Sequence, residues 1–278
     1  MTSHRFVVLI LSQEGEKKKP PFRHYFFTFR LLNPKPGCDT IRDLRERNRM
    51  KKGCINRIVG LVPGYGWACF LILAACQAIV FCATRIPLQY MDKLDLSIPL
   101  DGRIPFRPEW ITIYVLSFAS WAVTFLLLFR QRREHVYRNS AAYLCTLVIT
   151  LACFLLLPTE LQRPEVPGSD FFSWLTRFIY FVDQPNNLCP SLHVVCSYYC
   201  WRAIFDTEGI PLWYRRFNFV FLLLVCCSIL FVKQHVVVDI PTGVLVSEVP
   251  LQLAKRFRWE RLGYHLEKRL EAKRASRR

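Results

Sequence analysis

Long apolar runs alternate with short polar segments along most of this chain, as in proteins whose helices cross a membrane several times. The three longest runs cover Val62–Thr84, Trp110–Phe129 and Ala141–Leu157. A run of about 20 apolar residues is long enough for an α-helix to span a bilayer. Three later runs are shorter or interrupted by polar residues, at Leu192–Phe205, Phe217–Val232 and Val236–Ala254. We therefore predict an all-α integral membrane bundle of about six transmembrane helices.

The three later runs contain ionisable residues that are costly inside a bilayer, namely His193, Arg202, Asp239 and Glu248. Short apolar runs also occur in the buried helices of soluble proteins, but the first three runs are too long to favour that alternative. Ionisable residues within membrane spans usually serve a function. These positions therefore direct the search for a site.

An amphipathic helix is predicted just before the fourth run. Its apolar residues recur at helical spacing, at Phe171, Trp174, Leu175, Phe178, Ile179 and Val182. Ser169 or Asp170 can cap its first turn. A helix of this kind is typical of the membrane interface. There it either guides a lipid headgroup towards a site or simply packs on the bundle.

The net charge of +17 is concentrated at the two ends of the chain. Residues 1–61 hold 14 basic and 5 acidic side chains, and residues 255–278 hold 10 basic and 3 acidic ones. The intervening residues 62–254 are nearly neutral, which indicates a six-helix membrane domain between two basic tails rather than a nucleic-acid-binding protein. Basic segments stay on the cytoplasmic side of a membrane. We therefore predict that both termini are cytoplasmic, together with the loops at 130–138 and around Arg215 and Arg216.

The tails and the first loop each leave two interpretations open. Residues 1–49 show no sustained period, so either the protein begins at Met50, or this segment is a disordered basic arm on anionic lipid headgroups. The C-terminal tail is expected to form either a surface-lying amphipathic helix or a solvated charged one. The proline-rich loop 85–109 either shapes a pocket or simply connects two helices.

The candidate chemistry lies in two motifs near the C-terminal end. His235 and Asp239 are four residues apart, so on a helix they share a face, and the carboxylate can orient the imidazole as a nucleophile. His193, from another segment, is a candidate general acid. Ser191 offers a hydroxyl to a substrate oxygen. These residues together indicate phosphoryl transfer through a phosphohistidine.

Positive charge for the phosphate must come from elsewhere in the chain. The nearest candidates are Arg163 and Lys233. A planar guanidinium matches the geometry of phosphate oxygens, which favours Arg163 as a phosphate ligand.

The run Pro190-Ser191-Leu192-His193, followed by Ser228, His235 and Asp239 with an upstream Arg163-Pro164, resembles the type-2 phosphatidic acid phosphatase superfamily. The resemblance spans roughly residues 65–253. It implies a six-helix membrane bundle, His235 as the nucleophile with Asp239 as its partner, and His193 as the acid. It also implies phosphate contacts from Arg163 and Ser191, and no required metal or other cofactor.

The motif form is closest to the inositol phosphorylceramide synthase branch of that superfamily. Asp183 and Asn187, just before Pro190, fit a run of that branch and are candidates for supporting the site. The chain departs from the superfamily pattern at Leu156, Leu192 and Ile229, where the family has a lysine, a glycine and an arginine. Two fixed cations are thus replaced, and Lys233 is the candidate substitute for one of them.

Three classes of function follow from these residues. The first is a membrane enzyme that uses His235 to act on a lipid phosphate, with either water or a hydroxylated lipid as the acceptor. The second is a metal protein, because two histidines and a carboxylate can also form a metal triad. The third is a non-catalytic relative that only binds lipid.

Most of the 12 cysteines fall within apolar runs, where they are expected to act as small packing residues.

Overall fold

In a computed structural model of the chain, the structure describes residues 60, 62–84, 90–205 and 207–277. Nearly all of the predicted tail 1–61, including Met50, lies outside these residues. The described part of the chain is all-helical, with only isolated β-bridges between loops. The helices are α1 (Gly64–Ala83), α2 (Pro99–Arg103), α3 (Ile111–Phe129), α4 (Arg133–Leu156), α5 (Phe171–Val182), α6 (Leu192–Phe205), α7 (Leu212–Phe231), α8 (Asp239–Arg256) and α9 (Glu260–Ala275).

Four of these helices are long and apolar enough to cross a membrane, namely α1, α3 with the preceding 3-10 turn, α4 and α7. The predicted all-α fold is therefore confirmed for the described residues, and the four apolar helices indicate a membrane protein. The helix α6 is 14 residues long, and α8 carries four charged residues within its 18.

Two predicted loops are helical, and both predictions were wrong for the same reason. Helix α4 begins at Arg133 rather than at Ala141, so only residues 130–132 remain of the predicted basic loop 130–138. Helix α7 begins at Leu212, just after Pro211, and includes Arg215 and Arg216. Charged residues continue a helix as readily as apolar ones do, so an apolar run marks the part of a helix in contact with apolar surroundings and not its ends.

The predicted amphipathic helix forms as α5, between α4 and α6. Asp170 caps it, because its carboxylate accepts hydrogen bonds from the N–H groups of Phe172 and Ser173. Leu175 and Ile179 pack against the bundle, whereas Trp174 and Phe178 stay exposed. The helix thus packs on the bundle with one face and presents aromatic rings with the other.

Helix α6 lies at the centre of the bundle, packed against α3, α7 and α8. Two of the residues that interrupt the apolar runs meet here, because Arg202 of α6 donates two hydrogen bonds of 3.0 Å to the carboxylate of Glu248 in α8. Tyr198 donates a third bond to the same carboxylate. Partly buried charges are tolerated when they are paired in this way.

Contacts between helix ends define two ends of the bundle. At one end Asn187 reaches Thr84 after α1, and the N–H of Arg107 donates to the carbonyl of Phe231 at the end of α7. At the opposite end Arg133 of α4 pairs with Glu267 of α9, and Arg215 donates to the carbonyl of Phe205. The candidate chemistry therefore lies at one end of the bundle, and the basic residues around Arg133 and Arg215 lie at the opposite end.

Candidate active site

His235 and Asp239 are in contact, although not on one helix face as predicted. Residues 235–238 form a turn, and Asp239 is the first residue of α8. The Nδ1 atom of His235 lies 3.0 Å from Oδ2 of Asp239, and the same oxygen accepts a bond of 3.1 Å from the N–H of Val236. A carboxylate beside Nδ1 favours the tautomer that leaves a lone pair on Nε2. The turn therefore produces the oriented imidazole that the helix was expected to produce.

Asp239 is fully buried, yet its position compensates part of the cost of its charge. It lies in the first turn of α8, where the helix dipole stabilises a negative group. Its Oδ2 atom has the two bonds described above, while its Oδ1 atom has no hydrogen-bond partner within the described part of the chain.

His193 lies in the first turn of α6 within a box of aromatic rings. Its ring stacks on Tyr114 with centroids 4.0 Å apart, and the rings of Trp121 and Phe118 lie 5.1 and 5.4 Å away. The centroids of His193 and His235 are 6.3 Å apart. The Nε2 atom of His193 is buried and has no partner among the residues that the structure describes. The two imidazoles thus face a common space across a gap of a few ångströms.

Arg163 reaches the same space from the loop after α4. It donates to the backbone carbonyl of Asp183 at 2.5 Å and to Oε1 of Gln234, and its guanidinium lies 4.6 Å from the centre of the Tyr180 ring. Burial lowers the pKa of Arg163, but a guanidinium stays protonated at any physiological pH. The carbonyl, the amide and the ring together hold a fixed positive charge beside His235.

The two candidates for site support both line the cavity. Asp183 accepts a hydrogen bond of 2.8 Å from the Tyr114 hydroxyl, so it links the ring stacked on His193 to the loop that holds Arg163. Asn187 has a positive φ of 62° and donates to Thr84 at 2.5 Å. Asparagine is among the residues that tolerate this conformation best.

Ser191 and Lys233 are not brought to the cavity. Ser191 is fully buried, and its hydroxyl accepts a bond of 3.4 Å from the N–H of Val194, as a helix cap does. The ammonium of Lys233 donates to the backbone carbonyl of Asp101 at 2.8 Å. Burial lowers the pKa of Lys233, and the nearby Asp101 opposes this effect. Both side chains therefore form hydrogen bonds with backbone groups near the cavity and do not line it.

Asp101, in the short helix α2, is a functional candidate that was not predicted from the sequence. Its Oδ1 atom accepts a hydrogen bond of 2.8 Å from the N–H of Val237, in the turn between His235 and Asp239. Its carbonyl binds Lys233 just before that turn. Asp101 therefore binds one residue on each side of His235. No local sequence signal links this carboxylate to a turn more than 130 residues later.

Gln234 was also missed, although it precedes the candidate nucleophile. Its side chain is almost completely buried and accepts a hydrogen bond from Arg163. The turn that carries His235 thus also fixes the guanidinium.

These groups line one cavity of about 520 Å³. Arg163, Asp183, Asn187, His193, Gln234 and His235 lie on its wall. Its volume is within the range of ligand-binding pockets. Within the described ranges, no three His, Cys, Asp or Glu side chains are placed to hold one metal ion. The arrangement combines an oriented imidazole, a second imidazole and a fixed cation.

A scan against protein-family models, a search of curated proteins and a search of solved structures found no match to this chain.

Proposed function

We propose that this protein is a membrane-embedded enzyme that transfers the phosphoryl group of a lipid phosphate through a phosphohistidine on His235, without a metal ion. We further propose that it belongs to the type-2 phosphatidic acid phosphatase superfamily, on the motifs that carry the resemblance. The observation that supports the proposal most directly is the His235–Asp239 contact, with His193 and Arg163 on the same cavity wall. A nucleophile with an orienting carboxylate, an acid and a phosphate-binding cation are the parts that this chemistry requires.

In the first step, Nε2 of His235 attacks phosphorus while the bond from phosphorus to the lipid oxygen breaks. Protonated His193 gives its proton to the departing lipid oxygen, so the lipid leaves as an alcohol. In the second step, an acceptor hydroxyl loses its proton to His193 and attacks the phosphohistidine, which restores both histidines. Asp239 keeps the His235 ring in place, and Arg163 balances the charge that grows on the phosphoryl oxygens.

The acceptor in the second step is either water or the hydroxyl of a second lipid. The aromatic rings of Tyr114, Phe118 and Trp121 around His193 favour the second lipid, as in head-group transferases of the inositol phosphorylceramide synthase type. An apolar surround limits access of water and suits an acceptor that arrives from the membrane.

In the membrane we propose six spans, with α6 and α8 added to the four long apolar helices. The Arg202–Glu248 ion pair supports this, because the positive charge of Arg202 in α6 is neutralised by the negative charge of Glu248 in α8. The basic C-terminal tail and the basic connectors would lie in the cytoplasm, by the positive-inside rule. The site would then open on the non-cytoplasmic face, with α5 at the interface.

The proposal is tested by giving the purified full-length protein a radiolabelled lipid phosphate, with and without a hydroxylated acceptor lipid. We expect labelled phosphoenzyme on acid quench, and either free phosphate or a new labelled lipid. His235→Ala should abolish the phosphoenzyme and all labelled products. Asp239→Asn should lower the rate on the order of a hundredfold or more by misorienting the imidazole. His265→Ala, an exposed histidine of α9, is the matched control and should behave like the wild type.

Turnover by His235→Ala at the wild-type rate would refute the phosphohistidine. Loss of activity on chelation, restored by a divalent cation, would instead support the metal protein. Lipid binding without turnover by the wild type would support the non-catalytic relative.

A further inference from the structure

The cavity continues from the two histidines into the bundle, between α1 and α3. Helix α3 lines it from Phe118, whose ring contacts His193, to Phe129 at the other end of the helix. Eleven residues of helix correspond to about 16 Å. This depth is close to half of a hydrocarbon core about 30 Å thick. The cavity is therefore deep enough for an alkyl chain that extends through one leaflet.

The deep wall is apolar apart from one hydrogen-bonded cluster. Apolar side chains form most of it, among them Phe70, Leu73, Ala74, Ala122, Phe125 and Phe129. The cluster consists of Gln77 of α1, Tyr143 of α4 and Cys196 of α6. The Tyr143 hydroxyl donates to Oε1 of Gln77, and Nε2 of Gln77 donates to the Cys196 sulfur at 3.2 Å.

The amide of Gln77 retains capacity for a ligand. A glutamine side chain has two N–H donors and an oxygen with two lone pairs, and a thiol is a weak partner for either. Gln77 and Tyr143 both line the cavity. A polar side chain facing an otherwise apolar chamber indicates recognition of a polar group at that depth.

The depth of the cluster indicates which part of a lipid would meet it. Cys196 follows His193 by three residues in α6, which is about 4.5 Å along the helix axis. A lipid with its phosphorus beside His235 would place its first few carbon atoms at this level. Glycerol- and sphingoid-based lipids carry ester, amide or hydroxyl groups on these carbons, whereas plain alkyl and polyisoprenyl phosphates carry only hydrogen or methyl groups there.

We propose that the cavity binds one alkyl chain of the substrate, and that Gln77 selects lipid phosphates with a hydrogen-bonding group within a few carbons of the phosphate. This inference rests on the proposed function for the position of the phosphate. The apolar wall below Gln77 holds the chain, and the amide distinguishes lipids by their backbone.

Kinetics with three substrates of equal chain length test the selection. They are a diacylglycerol phosphate, a sphingoid-base phosphate and a plain alkyl phosphate. The wild type should prefer the first two by about tenfold in kcat/KM, the effect of one hydrogen bond. Gln77→Leu should remove this preference while keeping turnover of the alkyl phosphate.

Gln252→Leu makes the same chemical change on the exposed side of α8 and should leave all three rates unchanged. An unaltered preference in Gln77→Leu, or no preference in the wild type, would overturn the role of Gln77.

A binding experiment tests the chain site without catalysis. His235→Ala protein is mixed with long-chain lipid phosphates brominated within the first few carbons of the chain, and quenching of Trp121 fluorescence is obtained by comparison with a Trp121→Phe version. We expect Trp121 to be quenched, and Ala122→Phe, which fills the cavity at this level, to abolish the quenching by long chains but not the binding of short ones.

The two proposals fail in different ways. Quenching of Trp121 without turnover of any lipid phosphate by the wild type would refute the proposed reaction and leave the chain site standing. Turnover with no quenching and no preference would refute the chain site alone.

Discussion

At the scale of single residues, Arg163 carries the electrostatic part of the candidate site. It is the one fixed cation among the described residues that line the cavity. Its donors are already aligned by the carbonyl of Asp183 and by Gln234. A donor held in this way needs little rearrangement as charge develops on a phosphoryl group.

We expect Arg163→Ala to lower kcat on the order of a hundredfold to a thousandfold, or ~3–4 kcal/mol, as for the loss of one preorganised donor. Arg163→Lys should recover only part of this, because an ammonium lacks the planar fork. Single-turnover rates measure the effect. Arg261→Lys on the exposed C-terminal helix serves as the control, and a fully active Arg163→Ala would remove the guanidinium from the chemistry.

At the scale of elements, the turn 235–238 and the preceding Lys233 depend on helix α2, which is distant in sequence. Asp101 binds the N–H of Val237 through its carboxylate and Lys233 through its carbonyl. We expect Asp101→Ala to lower kcat about tenfold by loosening the His235 turn, with little change in KM. Asp101→Asn should recover much of the rate, since an amide oxygen can accept the same hydrogen bond.

Lys233→Ala tests whether the Lys233 ammonium contributes to phosphate binding. Because its ammonium binds a backbone carbonyl outside the cavity, we expect a loss smaller than that of Asp101→Ala. Steady-state kinetics on the same substrate compares the variants. A loss for Lys233→Ala as large as that for Arg163→Ala would assign Lys233 to the phosphate pocket.

The close packing of helices α6 and α8 depends on Gly243. A Cβ atom at this position would lie 2.9 Å from Cβ of Val194, the residue next to His193. We expect Gly243→Ala to separate the helices and destabilise the protein by about 1–3 kcal/mol, as overpacking does. Thermal unfolding in detergent measures this.

Gly64→Ala is the matched control, because a Cβ atom there has no atom within 4 Å. Its unfolding temperature should equal or exceed that of the wild type. Equal stability of the two variants would show that the contact between α6 and α8 accommodates an additional methyl group.

At the scale of the whole molecule, charge and chemistry lie at opposite ends of the bundle. In sealed right-side-out vesicles of a variant without reactive native thiols, Glu165→Cys in the loop after α4 should react with an impermeant thiol reagent. Ser276→Cys near the C-terminus should react only after the membrane is permeabilised. Both positions are exposed, so the comparison depends on their side of the membrane alone. The reverse labelling would contradict the positive-inside assignment.

The sequence by itself determined the features that depend on neighbours along the chain. The apolar runs located the long helices because a span must be apolar over about 20 residues. The spacing of Phe171, Trp174 and Phe178 located α5, whereas the structure decided for Asp170 rather than Ser169 as its cap. The four-residue spacing of His235 and Asp239 also brought those two side chains together, although through a turn and not a helix.

The tertiary structure alone decided which distant groups meet. Arg163 binds Gln234, Asp101 binds Val237, and Arg202 pairs with Glu248, across 46 to 136 residues of sequence. The direction of Lys233, away from the cavity, was decided in the same way. Such contacts depend on how helices pack and on which loop lies above which helix end. Periodicity and motif spacing describe one segment at a time, so they carry no information on these encounters.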